Sequence, residues 1–278
     1  MNKWCWAYRK KRENNYLQMT HSPLKDKTAL VCGSSRGIGE ACAIALAEMG
    51  ASIILLARNA DSLEKVKNNL PGHGTHHAFQ ADFSVPGDLE SCLEKIVSIH
   101  PIHILVNNTG GPPAGDIRHA KSSAFTDAFR AHLLCNHLLA QALLPGMQEA
   151  GYGRIINIIS TSVKQPLKGL GVSNTIRAAV ANWSKTLAGE VAMHGITVNN
   201  VLPGATHTGR LTAIIGNKAE KNGVHQTEIE QEMLAEIPAG RFGKPSEIAA
   251  AVAFLASPAA SYINGINLPV DGGRTACL

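Results

Sequence analysis

The chain has 278 residues, 45% of them hydrophobic and 17% charged, with a formal net charge of +5. That balance excludes a disordered or fibrous chain and suits one large α/β domain with a well-buried core. No stretch approaches the roughly 18 consecutive apolar residues of a membrane span, and part of the positive charge is the cluster Arg9, Lys10, Lys11 and Arg12, so neither a membrane nor a nucleic-acid partner is expected.

Residues 1–22 read as a flexible N-terminal tail, basic and carrying Trp4 and Trp6 but without the apolar core of a signal peptide. A single domain is expected over residues 23–278. Six cysteines, Cys5, Cys32, Cys42, Cys92, Cys135 and Cys277, show no C-x-x-C spacing and read as reduced thiols in a cytosol.

From residue 28 onward, short apolar strands alternate with helix-length segments. Strands are expected at 28–32, 52–57, 76–80, 102–106, 154–159, 197–202 and 266–270. Helices are expected at 37–49, 61–70, 86–99, 122–148, 172–194 and 245–256, with an irregular polar insert at 205–240, carrying short helical pieces, acting as a mobile lid. Such alternation implies a Rossmann-type doubly wound parallel sheet of about seven strands, with helices on both faces.

The first strand runs into Cys32-Gly33-Ser34-Ser35-Arg36-Gly37-Ile38-Gly39 and then a helix. Gly33 allows a tight turn, Gly37 lets the backbone approach a pyrophosphate, and Gly39 lets the helix pack close to the sheet. Free N–H groups at the helix start offer hydrogen bonds and a positive dipole end to phosphate. At the end of the second strand an acidic residue would bind a ribose 2′-hydroxyl, but here Ala57 is followed by Arg58. With Arg36 it supplies two guanidiniums that can grip a 2′-phosphate, which favours NADP(H) over NAD.

These segments resemble the short-chain dehydrogenase/reductase family, over about residues 23–274. Asn107-Asn108-Thr109-Gly110 is similar to the family's N-N-A-G segment, which implies that Asn108 and Gly110 line the cofactor cleft. Asp82 matches the residue that contacts the adenine end. Asn199, Pro203-Gly204 and Thr208 resemble the nicotinamide-side P-G-x-x-x-T segment. The stretch from Ile237 to Gly243 and Val270-Asp271-Gly272-Gly273 look like the β-ketoacyl-carrier-protein-reductase branch.

The resemblance also implies a tetrad of Asn, Ser, Tyr and Lys, and here the chain departs from the pattern. Ser160 keeps the serine that polarises the substrate oxygen. The Tyr and Lys positions fall on Ser173 and Arg177, and the Asn position on His132. A serine hydroxyl is a far weaker acid than a phenol, while Arg177 can anchor ribose hydroxyls but cannot relay a proton. His132 is a candidate proton source because imidazole titrates near neutral pH; the competing account is a helix histidine packed or hydrogen-bonded between subunits. Lys164 and His207 are further candidates on flanking loops. His73, His76 and His77 resemble a metal cluster by composition only, and no metal site is expected.

The expected function is that of an NADP(H)-dependent oxidoreductase acting on a carbonyl/alcohol pair, with a small-molecule carbonyl or an acyl thioester such as a 3-oxoacyl group as substrate. The alternative is a catalytically idle dinucleotide-binding protein serving as a redox sensor or assembly subunit. The reduced thiols lead to an expected cytoplasmic location, and the resemblance further implies a homo-oligomer, a dimer or tetramer built through the long helices that hold His132 and Ser173.

Overall fold

Seven strands carry the architecture of the computed structural model, which describes residues 22–85 and 87–277. They are β1 (Thr28–Cys32), β2 (Ser52–Ala57), β3 (His77–Gln80), β4 (Ile104–Asn107), β5 (Gly153–Ile158), β6 (Ile196–Pro203) and β7 (Asn267–Val270). All neighbours pair in parallel, in the order β3-β2-β1-β4-β5-β6-β7. The strand order reverses between β1 and β4, and open α/β sheets bind ligands in the crevice at such a point, beyond the carboxyl ends of the strands.

The strands are largely apolar because both faces are covered. In β1, Ala29 and Val31 point to one core while Leu30 and Cys32 point to the other. On the first face lie α1 (Gly37–Glu48), α2 (Ala60–Asn68) and, further along the chain, the helix Pro245–Ala256, which bury Leu46, Leu63 and Val252. On the opposite face are α3 (Asp88–Ile99), the helix Cys135–Glu149 and the helix Gly171–Val191, which bury Leu93, Leu143 and Val191.

The remaining helices follow the chain. The segment expected as one helix over 122–148 is α4 (Ser122–Phe129) and α5 (Cys135–Glu149), joined without a break by a π-helical turn at Arg130–Leu134. The helix Gly171–Val191 is α6. The insert at 205–240 is more ordered than expected: it forms α7 (Gly209–Asn222) and α8 (Gln226–Ala235), packed on each other through Leu211, Ile215, Ala219, Ile229 and Met233. Thr208 caps α7 by accepting from the Leu211 N–H, and His225 begins α8 with a capping box to Glu228. The helix Pro245–Ala256 becomes α9. The expected tail 1–22 lies outside the described residues except for Ser22, as do Pro86, Cys5, Trp4 and Trp6.

A ladder of asparagine side chains ties the central strands together. Asn107 on β4 donates to Asn157 on β5 at 2.8 Å, Asn157 donates to Asn200 on β6 at 2.9 Å, and Asn200 donates to Asn267 on β7 at 2.8 Å. The strand register places these four residues directly beside one another. Asn157 also donates to the Ser184 hydroxyl at 3.3 Å, and for the rest these buried amides depend on their neighbours for their hydrogen bonds.

Candidate functional site

The turn after β1 is built around close backbone approaches. Gly33 has φ of +60°, and a Cβ there would meet the Asn108 carbonyl oxygen at 2.5 Å. A Cβ at Gly39 would collide with the Gly33 carbonyl. Asn108 fastens the turn by donating to the carbonyls of Cys32 and Gly33, and Ser34 accepts from the Leu56 N–H at 3.0 Å. The N-cap of α1 is Arg36, which forms no side-chain cap, so the first N–H groups of the helix stay free for an anion beside Ser35, Gly37 and Ile38. Thr208 faces this turn, its methyl 3.4 Å from where a Cβ on Gly37 would be, and nothing crowds Gly110. Side chains at Gly33 or Gly39 would collide with the protein's own backbone, so the turn keeps this shape only with glycine at both positions.

At the end of β2, Arg58 is exposed and reaches the neighbourhood of Asp82. Hydrogen bonds from the Ser84 N–H and hydroxyl, with the nearby Arg58 charge adding to them, hold the Asp82 carboxyl below its usual range. On the far side of the cleft, the Gly204 N–H donates to the Val270 carbonyl at 3.0 Å and so fixes the backbone after Pro203.

The second cluster lies at the ends of β5 and β6. Ser160 follows β5 in extended conformation and accepts from the Ser162 N–H at 3.1 Å. Ser173 and Arg177 share one face of α6, and both are buried. Arg177 donates from Nη1 to the Ile158 carbonyl at 3.0 Å, which holds its guanidinium against the strand that delivers Ser160. Burial and then the neighbouring Arg210 lower the Arg177 pKa to about 10, so the group remains a cation at neutral pH.

His132 sits within the π-helical turn, buried, with Nδ1 2.6 Å from the Thr109 hydroxyl. Burial, then Arg177 and Arg210, pull its pKa down to about 2. The expectation of an imidazole titrating near neutral pH is corrected here: His132 is a neutral ring, hydrogen-bonded to the segment after β4. π-helical turns of this kind occur often at functional sites.

Arg210 was not anticipated. It stands two residues beyond Thr208, on the first turn of α7, and donates to the Gly111 carbonyl at 2.8 Å and the Pro112 carbonyl at 3.2 Å. The matched threonine just before it was the available signal. Other residues singled out earlier lie apart from the cluster. His207 packs edge-on against Phe242. His76 accepts from the Ile53 N–H and His77 stacks on His100, both toward the opposite end of the sheet. Lys164 meets the C-terminal segment through its carbonyl, which accepts from the Cys277 thiol.

The same architecture recurs in known proteins. The family described as Enoyl-(Acyl carrier protein) reductase matches residues 33–275. A 3-oxoacyl-[acyl-carrier-protein] reductase of Vibrio cholerae is 37% identical over 253 residues, covering 90% of this chain and 98% of the relative. The NADPH-dependent reductase BacG of Bacillus subtilis is 31% identical, covering 90% of this chain and 98% of the relative. Among solved structures, the L-sorbose reductase of Gluconobacter frateurii complexed with NADPH and L-sorbose superposes with a TM-score of 0.86 at 32% identity, covering 92% of this chain and 98% of that one.

Proposed function

The chain belongs to the short-chain dehydrogenase/reductase family, and from that membership we propose that it is an NADP(H)-dependent oxidoreductase that interconverts a carbonyl and an alcohol. The observation that carries this reading is the convergence, at the carboxyl ends of β1, β4, β5 and β6, of a glycine cradle, Ser160 and the buried cation Arg177. NADPH, when bound, supplies the hydride.

The residues divide the work. Gly33, Ser35, Arg36, Gly37, Ile38 and Gly39 receive the pyrophosphate, Arg58 with Arg36 selects the 2′-phosphate, and Asp82 bounds the adenine end. Asn108, Gly110, Pro203, Gly204 and Thr208 line the nicotinamide side, with Arg177 on the ribose. Ser160 donates a hydrogen bond from Oγ to the substrate oxygen. A phenol is absent at position 173, so the negative charge growing on that oxygen is stabilised chiefly by the fixed positive charge of Arg177. The proton that completes the alcohol then comes from water, passed through the Ser160 and Ser173 hydroxyls.

Substrate candidates run from small ketones to 3-oxoacyl thioesters. A homo-oligomer, dimer or tetramer, is supported by Phe129, Leu134 and Phe254, large apolar side chains that stay exposed on α4, the π-helical turn and α9. A cytoplasmic location is proposed from the same kinship; no helix among the described residues is long and apolar enough to cross a membrane. The test of function is NADPH consumption across a panel of ketones, oxo acids and 3-oxoacyl thioesters, run beside NADH and beside a direct cofactor titration. Turnover with an NADPH preference supports the reading. Tight NADPH binding with no turnover of any carbonyl would leave an idle dinucleotide-binding protein.

A further inference from the structure

Two separate sets of cations border the strand ends. Arg36 and Arg58 belong to the dinucleotide side, at the glycine turn and the end of β2. Arg177 and Arg210 lie toward the nicotinamide end and beyond it, at β5 and after β6. The protein partners of this second pair are neutral: Arg177 donates to the Ile158 carbonyl, and Arg210 to the carbonyls of Gly111 and Pro112. Each guanidinium carries five N–H donors, so both keep hydrogen-bonding capacity that these carbonyls do not use.

The ion pairs among the described residues are Lys67 with Glu64, Arg118 with Asp116, Arg241 with Glu247 and Arg274 with Glu236. Neither Arg177 nor Arg210 takes part in one. Burial depresses both groups, the charge of Arg210 depresses Arg177 further, and no carboxylate offsets either. Arg177 is buried and Arg210 exposed, and with no carboxylate paired to either guanidinium, a ligand of opposite charge entering from the solvent side would meet both unneutralised. Arg210 is tied to the loop after β4, not to the glycine turn, and it remains open to solvent.

We infer that the substrate carries its own carboxylate, gripped by the Arg210 guanidinium beside the buried Arg177, with its carbonyl group at Ser160. The inference rests on the oxidoreductase reading and narrows its substrate class to oxo acids. Arg210 is thereby a specificity-determining residue. Its anchoring carbonyls on Gly111 and Pro112 hold the planar fork in place, which suits the two parallel hydrogen bonds of a carboxylate.

The test is calorimetric titration of the NADP-loaded protein with 3-oxobutanoate and with its methyl ester, which differ in the charge of one group. Wild type should bind the acid at least about tenfold more tightly than the ester, as expected for a charge-assisted pair. Arg210→Gln should abolish that difference while its NADPH affinity stays within about threefold of wild type, and Arg210→Lys should keep part of the preference. Equal binding of acid and ester by wild type, or binding of neither, overturns the inference. So does an Arg210→Gln variant that loses NADPH affinity by the same factor, which would assign the guanidinium to the cofactor's phosphates. Failure of wild type to bind NADPH at all is a different result: it overturns the oxidoreductase reading and this inference with it.

Discussion

Nδ1 of His132 lies 2.6 Å from the hydroxyl oxygen of Thr109, and this contact ties the π-helical turn at Arg130–Leu134 to the segment that follows β4. The ring is buried and, under burial and then the charges of Arg177 and Arg210, its pKa falls to about 2. In the unfolded chain the same imidazole ionises near about 6.5. Above that value neither state carries the proton. Below it the unfolded chain gains a proton that the folded site refuses, so stability is lost as pH falls, by up to about 1.4 kcal/mol per pH unit. Urea unfolding from about pH 7.5 down to about pH 5 should show wild type losing stability relative to His132→Asn. Parallel curves would mean that the ring takes up its proton equally in the folded and unfolded states.

We propose that Arg58 sets the cofactor choice. On that proposal Arg58→Asp removes a phosphate-binding cation and places a negative charge where a 2′-phosphate would lie. The preference for NADP over NAD should fall by about one to three powers of ten, from roughly 1.5–3 kcal/mol for the lost charged hydrogen bond plus the added repulsion. Affinities for both dinucleotides, measured by fluorescence titration, decide this; unchanged values would make Arg58 a surface bystander.

Ser160 is proposed to donate to the reacting oxygen. Ser160→Ala should lower turnover by about 10²–10³, the usual loss for one oxyanion-type donor, while NADPH binds as before. The two measurements together separate a catalytic hydroxyl from a merely structural one, since Ser160 also accepts from the Ser162 N–H. A variant with unimpaired turnover removes Ser160 from the chemistry.

The asparagine ladder makes a prediction about stability. Asn157 is fully buried, accepts from Asn107 and donates to Asn200. Asn157→Leu has similar bulk but strands a donor on one neighbour and an acceptor on the other. At about 1–3 kcal/mol for each unsatisfied buried group, a loss of roughly 2–6 kcal/mol is expected in chemical denaturation. A change below about 0.5 kcal/mol would mean that the neighbours find other partners.

The strand-helix alternation, the glycine turn and the cation after β2 were all legible in the sequence, because each is a local pattern within a few residues. The asparagine ladder was not. Asn107, Asn157, Asn200 and Asn267 come together only through the register of four strands far apart in the chain. The 205–240 insert reads as irregular with short helical pieces, short of the two packed helices it forms, although Leu211, Ile215 and Ala219 repeat at the spacing of one helical face; Gly209 and Gly216 and the polar surroundings obscure that stripe. His132 was placed in its helix correctly, but its ionisation depends on burial beside Arg177 and Arg210, which no local spacing reveals.

The central claim is that a site with Ser173 and Arg177 in place of a phenol and a lysine still reduces a carbonyl. Its most direct test is deuterium transfer from NADPH labelled at the nicotinamide C4 position, with the wild-type protein, to a carbonyl panel that includes oxo acids. The label should appear on the carbinol carbon of at least one product, from one face of the nicotinamide only. Tight binding of labelled NADPH, with no deuterium delivered to any carbonyl carbon, would contradict the account.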